Sequence, residues 1–379
     1  MYISKIVLKN WRNFQDVNVS LGWRVFLIGP NASGKSNFLD AFRFLRDVAT
    51  DGMSKAVSRR GGISAIRCLA ARRYSQVTLE VELSDKEGPK WTYTLSMNQD
   101  NQRRPIVKEE IVRAGNEIIL SRPSDQDRED PDRLTQTALE QISENRNFRQ
   151  MAEFLKSISY QHLLPQVVRD PSEFSPHPVQ NDPYGRDFLR RVWKTSSRVR
   201  NSRLQKIEQA LKIAVPQLSD LSVEMDNITG IVHLIGRYEH WRPRGAKQDE
   251  SQFSDGTLRL LGLLWAVFEG SGPLLLEEPE ISLHPEVVRR LPAIFYRINR
   301  LRKQQRQIII STHSEDMLRG KGIAPEEVLI LVPGPNGTEI KLPDKADVMA
   351  IREGRLTAAD VLMPKAAPKN AHQLEFVFD

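Results

Sequence analysis

The residue types and spacing from Gly29 to Ser36 suit the binding of a phosphate group. The segment reads GPNASGKS and fits the pattern G-x-x-x-x-G-K-[ST]. Its small residues let successive backbone N–H groups surround an anion, and the positive end of a following helix adds to the attraction. Lys35 would reach the β- and γ-phosphates of a nucleotide, and the Ser36 hydroxyl would ligate Mg²⁺. The residues that we assign to this phosphate site are Gly29, Asn31, Ala32, Ser33, Gly34, Lys35, Ser36 and Asn37.

Two adjacent carboxylates, Glu277 and Glu278, directly follow the apolar residues 274–276. The end of a strand beside a phosphate loop is where a nucleotide site holds its metal and positions water. Glu277 would hold Mg²⁺ through water, and Glu278 would orient or activate the attacking water. The alternative is a solvated acidic turn, although two carboxylates that cap an apolar strand are costly to place.

His313 also lies just after an apolar run, residues 308–310. An imidazole at that place could hydrogen-bond a γ-phosphate and help to hold the water. Taken alone, His313 would be interpreted as a cap or a core histidine. Because it would be the third such strand end at one edge of a sheet, we assign it to catalysis together with Glu278 and Lys35.

Hydrophobic periodicity predicts the elements that would hold these residues. Residues 23–28 predict a buried strand and 36–48 have helical spacing, so the phosphate loop lies between the two elements that it needs. This context disfavours the alternative of a chance glycine turn. The C-terminal half predicts helices at about 255–269 and 285–303, and strands at 273–277, 307–312 and 327–332. Strands that alternate with helices imply a parallel sheet.

The rest of the chain predicts an antiparallel region and a helical region. Strands are predicted at 2–8, 76–83, 91–97, 106–112 and 116–120. Helices are predicted at 134–158 and 186–214, with a polar linker at 121–133 and a loop at 240–252. The predicted fold class is therefore α/β, a P-loop NTPase with a mixed sheet, an antiparallel β subdomain and a helical insertion.

The composition is that of an ordinary globular protein, with 379 residues, 40% hydrophobic and 27% charged. The single cysteine, Cys68, excludes a disulfide framework, a cysteine-based zinc site and an iron–sulfur cluster. Because the sequence has neither a long apolar run nor the core of a signal peptide, we expect a cytoplasmic protein without a membrane partner. The formal charge of +7 mildly favours polyanionic partners.

These pieces, in this order, resemble the ABC-type ATPases of the RecF/SMC/OLD group. Phe253–Arg259 (FSDGTLR) looks like that group's signature motif in its S-D-G-T form, and Leu8–Phe14 (LKNWRNF) looks like its first strand and turn. Glu277–Pro285 (EEPEISLHP) looks like the fused acidic strand and D-loop of OLD-like and RecF-like proteins. Ser311–Ser314 (STHS) looks like their switch histidine.

The resemblance is close over residues 1–50 and about 250–335, and it implies a head that binds ATP and Mg²⁺ between two copies of the chain. One subunit would supply the phosphate loop. The other would supply the signature motif, where Ser254 and the Gly256 backbone at a helix N-terminus offer a second anion cradle. Arg12, by the same resemblance, would lie near the nucleotide. The implied assembly is a homodimer closed by ATP, with a higher assembly left open.

The resemblance implies one ABC-type ATPase domain of two lobes over residues 1–379. We assign the phosphate loop and the antiparallel strands to an N-terminal lobe at 1–131. A helical insertion would follow at 132–220, and a C-terminal lobe at 221–379 would carry the signature motif, the acidic strand and the switch histidine.

Some features depart from the group's pattern. Glu277 stands where the group usually has Asp, and the glutamine of the usual Q-loop could be Gln161 or Gln166. The long coiled coil of the SMC branch is missing. After about residue 335 we expect no room for the nuclease domain that OLD proteins carry.

Two functions remain open at this point. The first is the ATPase subunit of a prokaryotic anti-phage defence or DNA-repair system that acts with a separate effector such as a nuclease. The alternative is a RecF-like clamp or loader that binds DNA without a nuclease partner. A transporter subunit is disfavoured, because such subunits usually have an L-S-G-G-Q signature and an Asp in the first acidic position. A pseudo-ATPase scaffold would follow if Glu277 spoiled metal binding.

A basic helix face is the candidate for contact with DNA. Basic residues recur at roughly i, i+4 spacing from Arg186 onward, which makes a face where DNA phosphates could lie. A solvated helix face or a protein-docking surface are the alternatives. The residues that we assign to this face are Arg186, Arg190, Arg191, Lys194 and Arg198. A weaker candidate consists of Arg59, Arg60, Arg72 and Arg73.

Overall fold

The computed structural model describes residues 1–70, 75–170, 182–239, 245–354 and 356–368, and three β-sheets organise them. The strands are β1 (Tyr2–Trp11), β2 (Phe14–Ser20), β3 (Arg24–Ile28), β4 (Val77–Asp85), β5 (Gly88–Gln99), β6 (Pro105–Ala114), β7 (Glu117–Arg122), β8 (Ser159–Gln161), β9 (Leu218–Met225), β10 (Val232–Tyr238), β11 (Ala246–Asp249), β12 (Leu274–Glu277), β13 (Ile308–Ser311), β14 (Val328–Gly334) and β15 (Gly337–Lys341). The α-helices are α1 (Lys35–Asp51), α2 (Met53–Ser58), α3 (Ile63–Ile66), α4 (Asp125–Glu129), α5 (Arg149–Lys156), α6 (Pro165–Arg169), α7 (Phe188–Lys194), α8 (Ser197–Ala214), α9 (Asp255–Phe268), α10 (Pro285–Arg300), α11 (Glu315–Leu318), α12 (Lys345–Arg352) and α13 (Ala358–Ala366). Short 3-10 helices span Pro131–Thr135, Glu144–Phe148 and Pro325–Glu327.

The central sheet has the strand order β15-β14-β3-β13-β12-β8, and the strands from β14 to β8 run parallel. Alternate side chains of its inner strands enter two separate hydrophobic cores, the first shared with α1 and the second with α9 and α10. Leu27, Leu275 and Ile309 belong to the first core, and Phe26, Leu276 and Ile310 to the second. Both faces are therefore buried, which explains why these strands are continuous apolar runs rather than alternating ones.

The register of the central sheet brings its functional strand ends together. Leu27 pairs with Ser311, and Ser311 pairs with Glu277. On the far side of β12, Leu276 pairs with Gln161 of β8. Since the carboxyl ends of parallel strands share one edge, the phosphate loop after β3, the acids after β12 and His313 after β13 lie side by side.

The second sheet is antiparallel, with the order β2-β1-β4-β5-β6-β7. In β4 the residues Val77, Leu79, Val81 and Leu83 alternate with polar residues and are fully buried in the core that α1 also enters. The predicted meander is confirmed. A third, smaller antiparallel sheet has the order β11-β10-β9.

The prediction of one helix over 134–158 is wrong for most of that range. Only α5 and a preceding 3-10 helix form there. The buried Glu110 accepts hydrogen bonds from the backbone N–H groups of Ala138 and Leu139, at 2.7 and 3.1 Å. Those groups are therefore satisfied by a side chain of β6, and the segment is tied to the second sheet instead of forming a helix.

Other boundaries were also predicted wrongly. The helix expected over 186–214 is two helices, because Thr195 and Ser196 are extended, and Ser196 lies at the N-cap of α8. The loop expected at 240–252 contains β11, and the polar linker contains α4 and a 3-10 helix. The proposed insertion 132–220 includes β8, which belongs to the central sheet. Arg72 and Arg73 lie outside the described residues.

Within the described residues, no helix is both long and apolar enough to cross a membrane.

Candidate nucleotide-binding and hydrolysis site

The loop between β3 and α1 has a backbone that requires small residues. Gly34 has φ of 97°, and a Cβ there would lie 2.1 Å from Asn13 Nδ2. Gly29 is tightly packed too, since a Cβ there would meet the Leu331 carbonyl oxygen at 2.6 Å. Ala32 also has positive φ, at 60°. Asn31 and Ala32 are exposed, whereas Ser33 is buried.

Lys35 folds back over its own loop. Its Nζ donates to the Gly29 and Pro30 carbonyl oxygens, at 2.9 and 3.0 Å. Burial lowers the pKa of Lys35 to about 8, while the nearby carboxylates of Glu278 and Glu277 act in the opposite direction. The ammonium group therefore lies beside both predicted acids, partly desolvated, and holds hydrogen bonds that an entering phosphate could replace.

Ser36 and Glu277, the two residues predicted to hold the metal, are in direct contact. The Ser36 hydroxyl donates to Glu277 Oε1, and the Tyr160 hydroxyl donates to Oε2. The His162 Nδ1 lies 3.1 Å from the Glu277 carbonyl oxygen. A carboxylate and a hydroxyl in contact are the hard oxygen donors that Mg²⁺ prefers, so these residues fit that ion. No local pattern indicates a role for Tyr160, because only the pairing of β8 with β12 brings it here.

Glu278 and His313 form the second contact of the site. The His313 Nε2 lies 3.2 Å from Glu278 Oε1. Burial, and then the charge of Lys35, lower the pKa of His313, which favours the neutral imidazole. Its backbone N–H donates to Glu280 Oε1 at 3.0 Å. His313 is therefore fixed at both ends beside a carboxylate, rather than serving as a core histidine.

Glu278 has a strained backbone that neighbouring groups hold in place. Its φ is 43°, its N–H donates to the Ser311 carbonyl oxygen at 3.0 Å, and its own carbonyl oxygen accepts from Arg259 at 3.0 Å. Arg259 also donates to the Leu163 carbonyl oxygen at 2.9 Å. Left-handed backbone at a non-glycine residue persists only where surrounding contacts enforce it, and it concentrates at functional sites. Arg259 is the last residue of the signature motif, and the motif alone does not indicate this role.

Two residues assigned to the nucleotide contact other protein groups. The Arg12 guanidinium donates to Asp40 Oδ2 at 3.3 Å and to the Ala65 carbonyl oxygen at 3.1 Å. The Asn37 side chain donates to Asn13 Oδ1 at 2.8 Å, and Asn13 in turn donates to the Ser33 carbonyl oxygen at 3.0 Å. Asn37 thus braces the phosphate loop from behind, while Arg12 points to α1.

The signature motif forms the N-terminus of α9. The exposed Ser254 caps this helix, and its Oγ accepts from the Thr257 N–H at 3.2 Å. Gly256 is required by close packing, because a Cβ there would lie 2.7 Å from the Ser282 carbonyl oxygen. The two glutamine candidates separate here: Gln166 donates to Asp255 Oδ2 at 3.2 Å, whereas Gln161 ends β8 beside Glu277.

The residues of the predicted DNA face are distributed over two clefts. Arg190, Arg191 and Lys194 line a cleft of about 430 Å³ that also contains acidic side chains, and Arg191 lies 3.8 Å from both Asp182 and Glu269. Arg198 lines a second cleft of about 600 Å³. Arg186 precedes α7 and is half-buried.

The second cleft is the more strongly basic one. Its charged lining residues are Arg198, Arg203, Lys206, Arg302 and Lys303, and no carboxylate is among the described residues that line it. The helix predicted at about 285–303 ends earlier than expected. It stops at Arg300, so Arg302 and Lys303 follow it.

The fold and the contacts at the strand ends define a P-loop NTPase of the ABC type, with the α/β architecture of an ATPase head. The chain is an ABC-type ATPase of the RecF/SMC/OLD group. A family model described as "AAA domain, putative AbiEii toxin, Type IV TA system" matches residues 24–318, and the chain belongs to this family.

Known proteins resemble shorter parts of the chain in sequence. The DNA replication and repair protein RecF of Bacillus cytotoxicus is 34% identical over 90 residues, which are 23% of this chain and 24% of that protein. The Endonuclease GajA of Bacillus cereus is 49% identical over 47 residues, 12% of this chain and 8% of that protein. The matched stretches thus span about a quarter or less of these curated relatives.

Solved SMC heads share the fold. The SmcHead bound to the C-winged helix domain of ScpA has a TM-score of 0.56 and 14% identity, covering 93% of this chain and 100% of that one. The Smc head domain with an extended coiled coil from Pyrococcus furiosus, bound to the C-terminal domain of ScpA, has a TM-score of 0.52 and 13% identity, covering 93% and 99%. At these identities the likeness shows the architecture alone.

Proposed function

We propose that this chain binds Mg-ATP at the carboxyl edge of the central sheet and hydrolyses it. The observation that carries the proposal is the Glu278–His313 contact of 3.2 Å beside Lys35 and the phosphate loop. A carboxylate next to a neutral imidazole, at the point where a terminal phosphate would lie, can position and deprotonate water. Family membership and the group's general ATPase character support this activity.

Each residue of the site has a task in this proposal. Glu278 accepts a proton from the attacking water, and His313 donates a hydrogen bond from Nε2 to the carboxylate or to the γ-phosphate. The Lys35 ammonium group would exchange its hydrogen bonds to the carbonyl oxygens of its own loop for hydrogen bonds to phosphate oxygens. This exchange needs no large rearrangement of the side chain. Mg²⁺ held by Ser36 and Glu277 would neutralise charge on the β- and γ-phosphates.

The proposal extends to a dimer with two composite sites. The exposed Ser254 and the packed Gly256 present an N-terminus that could cradle the phosphates bound by a second copy. Arg12 would contact the nucleotide only after leaving Asp40, so nucleotide binding would loosen the contact between β1 and α1. ATP would then join two copies, and hydrolysis would release them.

We further propose a role in anti-phage defence or DNA repair with a separate effector such as a nuclease. The local similarity to the GajA endonuclease supports this role. The alternative is a RecF-like DNA clamp or loader, which the RecF similarities support. The neighbouring gene separates the two: a small nuclease-like reading frame favours the first, and recombination genes favour the second.

Contact with DNA remains part of the proposal, and the structure favours the Arg198 end of the predicted face. The cleft at Arg190 and Lys194 contains carboxylates that would repel phosphates, whereas the described residues that line the cleft at Lys206 and Lys303 include none. Lys206→Glu with Lys303→Glu should weaken binding to duplex DNA at low salt and reduce its salt dependence. Arg190→Glu with Lys194→Glu makes the same change of charge and should weaken binding less. Equal affinities for duplex DNA in both variants and the wild type would exclude these clefts as DNA-binding sites.

The hydrolysis proposal is tested by separating binding from turnover. Glu278→Gln should bind ATP with wild-type affinity and release no phosphate, because the amide cannot accept the proton. Lys35→Ala should abolish ATP binding. A Glu278→Gln protein that hydrolyses ATP at the wild-type rate would show that the base is another residue.

A further inference from the structure

We infer that Tyr160 is a positioning residue for Glu277, and that its hydroxyl compensates for the extra methylene group of this glutamate. The inference deepens the proposed function and rests on it. Ser36 and Tyr160 each donate to a different oxygen of the same carboxylate. Both oxygens of Glu277 are therefore oriented by hydroxyl groups from α1 and β8, the elements on either side of the strand end.

Tyr160 is itself held in place from several directions. It is the middle residue of β8, it is 6% exposed, and it pairs in register with Leu275 of β12. The Arg43 guanidinium lies over the Tyr160 ring, with Cζ 4.1 Å from the ring centroid. Arg43 is anchored in turn 3.9 Å from Asp40 on the preceding turn of α1. A cation stacked on a buried ring restricts the ring's motion, so the hydroxyl has a fixed position.

The Tyr160 hydroxyl is needed because the Glu277 side chain is longer and more flexible than that of an aspartate. A glutamate has one more rotatable bond than an aspartate, and ordering that bond costs conformational entropy. An aspartate on the same backbone would hold its carboxylate about 1.5 Å further back, out of reach of a hydroxyl that now makes a hydrogen bond. Tyr160 and Glu277 therefore act as a pair, in which the tyrosine orients a carboxylate that would otherwise move. Groups that orient a metal-holding carboxylate typically contribute about tenfold to metal affinity.

The test measures how much Mg²⁺ strengthens nucleotide binding. In the Glu278→Gln background, the affinity for a fluorescent ATP analogue is measured with Mg²⁺ and with EDTA. Tyr160→Phe keeps the ring and its contact with Arg43 but removes the hydroxyl. We expect Tyr160→Phe to leave the affinity for the analogue in EDTA unchanged. The increase in affinity on adding Mg²⁺ should be about tenfold smaller than in the parent protein. Tyr296→Phe, on α10, is the matched control and should leave the gain unchanged.

A second variant distinguishes positioning from packing. With Glu277→Asp already present, Tyr160→Phe should have no further effect, because the shorter side chain does not reach the hydroxyl. A Tyr160→Phe protein with the full Mg²⁺ gain, or one with the same loss in both backgrounds, would overturn the inference. A parent protein that binds no nucleotide, or gains nothing from Mg²⁺, would overturn the proposed function instead.

Discussion

His313 Nε2 lies 3.2 Å from Glu278 Oε1, although the two residues come from different strands and are 35 positions apart in the chain. The parallel pairing of β12 with β13 produces this contact, since Glu277 and Ser311 are register partners. The imidazole therefore reaches the carboxylate that we propose as the base, on the same edge of the sheet as the phosphate loop.

The first prediction concerns this contact. His313→Ala should lower kcat about a hundredfold, the usual range for a residue that assists proton transfer, because Glu278 loses the group that orients it. The affinity for ATP should stay within about threefold, since binding depends mainly on the phosphate loop. Steady-state ATPase kinetics and equilibrium nucleotide binding measure the two effects. The control is His233→Ala in the third sheet, and equal rates for both variants would refute the role of His313.

The second prediction compares two glycines that both have positive φ but differ in ψ, which is 19° at Gly34 and 173° at Gly62. Gly34 has φ of 97° and Gly62 has φ of 90°, but only Gly34 has atoms within 4 Å of an added Cβ. Gly34→Ala should abolish ATP binding, because the methyl group would displace Asn13 and open the phosphate loop. Gly62→Ala should cost only backbone strain, on the order of 1–3 kcal/mol for a φ/ψ region that alanine rarely adopts, and should still bind ATP. Retained binding in Gly34→Ala would contradict the packing argument.

The third prediction concerns the link between the signature helix and the acidic strand end. Arg259→Lys keeps the charge, but a lysine cannot reproduce the planar fork that serves two carbonyl oxygens. Glu278 should then lose part of its support, and kcat should fall about tenfold or more. ATP affinity should change little. Arg290→Lys, at an exposed position of α10, should leave both values unchanged. If Arg259→Lys lowered ATP affinity and not kcat, this link would not act through Glu278.

The fourth prediction concerns stability in acid. The hydrogen bond from Arg122, 2.7 Å long, lowers the pKa of Asp127, which is 2% exposed. Because this pKa is lower in the folded chain than in the unfolded one, the carboxylate stabilises the fold above about pH 4, and this contribution decreases as the pH falls further. Asp127→Asn should reduce the free energy of unfolding by about 3 kcal/mol at pH 7. Below about pH 4, the difference in the free energy of unfolding between Asp127→Asn and the wild type should become smaller.

The control for that experiment is on the same helix. Asp125 also pairs with an arginine, Arg128, at 2.9 Å, but its side chain is 90% exposed. Asp125→Asn should therefore cost less than about 0.5 kcal/mol, measured by urea unfolding across the same pH range. Equal losses for the two variants would show that burial is not what gives the Asp127 pair its strength.

Sequence patterns predicted the part of the molecule that depends on neighbouring residues. The phosphate loop, the apolar strand of residues 274–276 and the alternation in β4 are local features, and each formed where it was expected. Tyr160 could not be found in this way, because it reaches Glu277 only through the pairing of strands more than a hundred residues apart. The role of Arg259 depends on contacts with the Leu163 and Glu278 carbonyl oxygens, which no local pattern predicts.

The wrong boundaries have two different causes. Residues 134–148 have helical spacing, but Glu110, from a distant strand, accepts hydrogen bonds from the backbone N–H groups of Ala138 and Leu139. A buried carboxylate that needs donors outweighed a local preference for helix. The break after Lys194 falls at the extended Thr195, whose hydroxyl donates to the Arg191 carbonyl oxygen at 3.1 Å and so competes with the backbone for hydrogen bonds.

The central claim is that ATP joins two copies of the chain, and the most direct test is the solution mass of Glu278→Gln with and without Mg-ATP. Light scattering coupled to size exclusion measures this mass. We predict a monomer without nucleotide and a dimer with Mg-ATP, because hydrolysis no longer reopens the interface. A monomer under both conditions, with ATP binding verified on the same sample, would contradict the composite site.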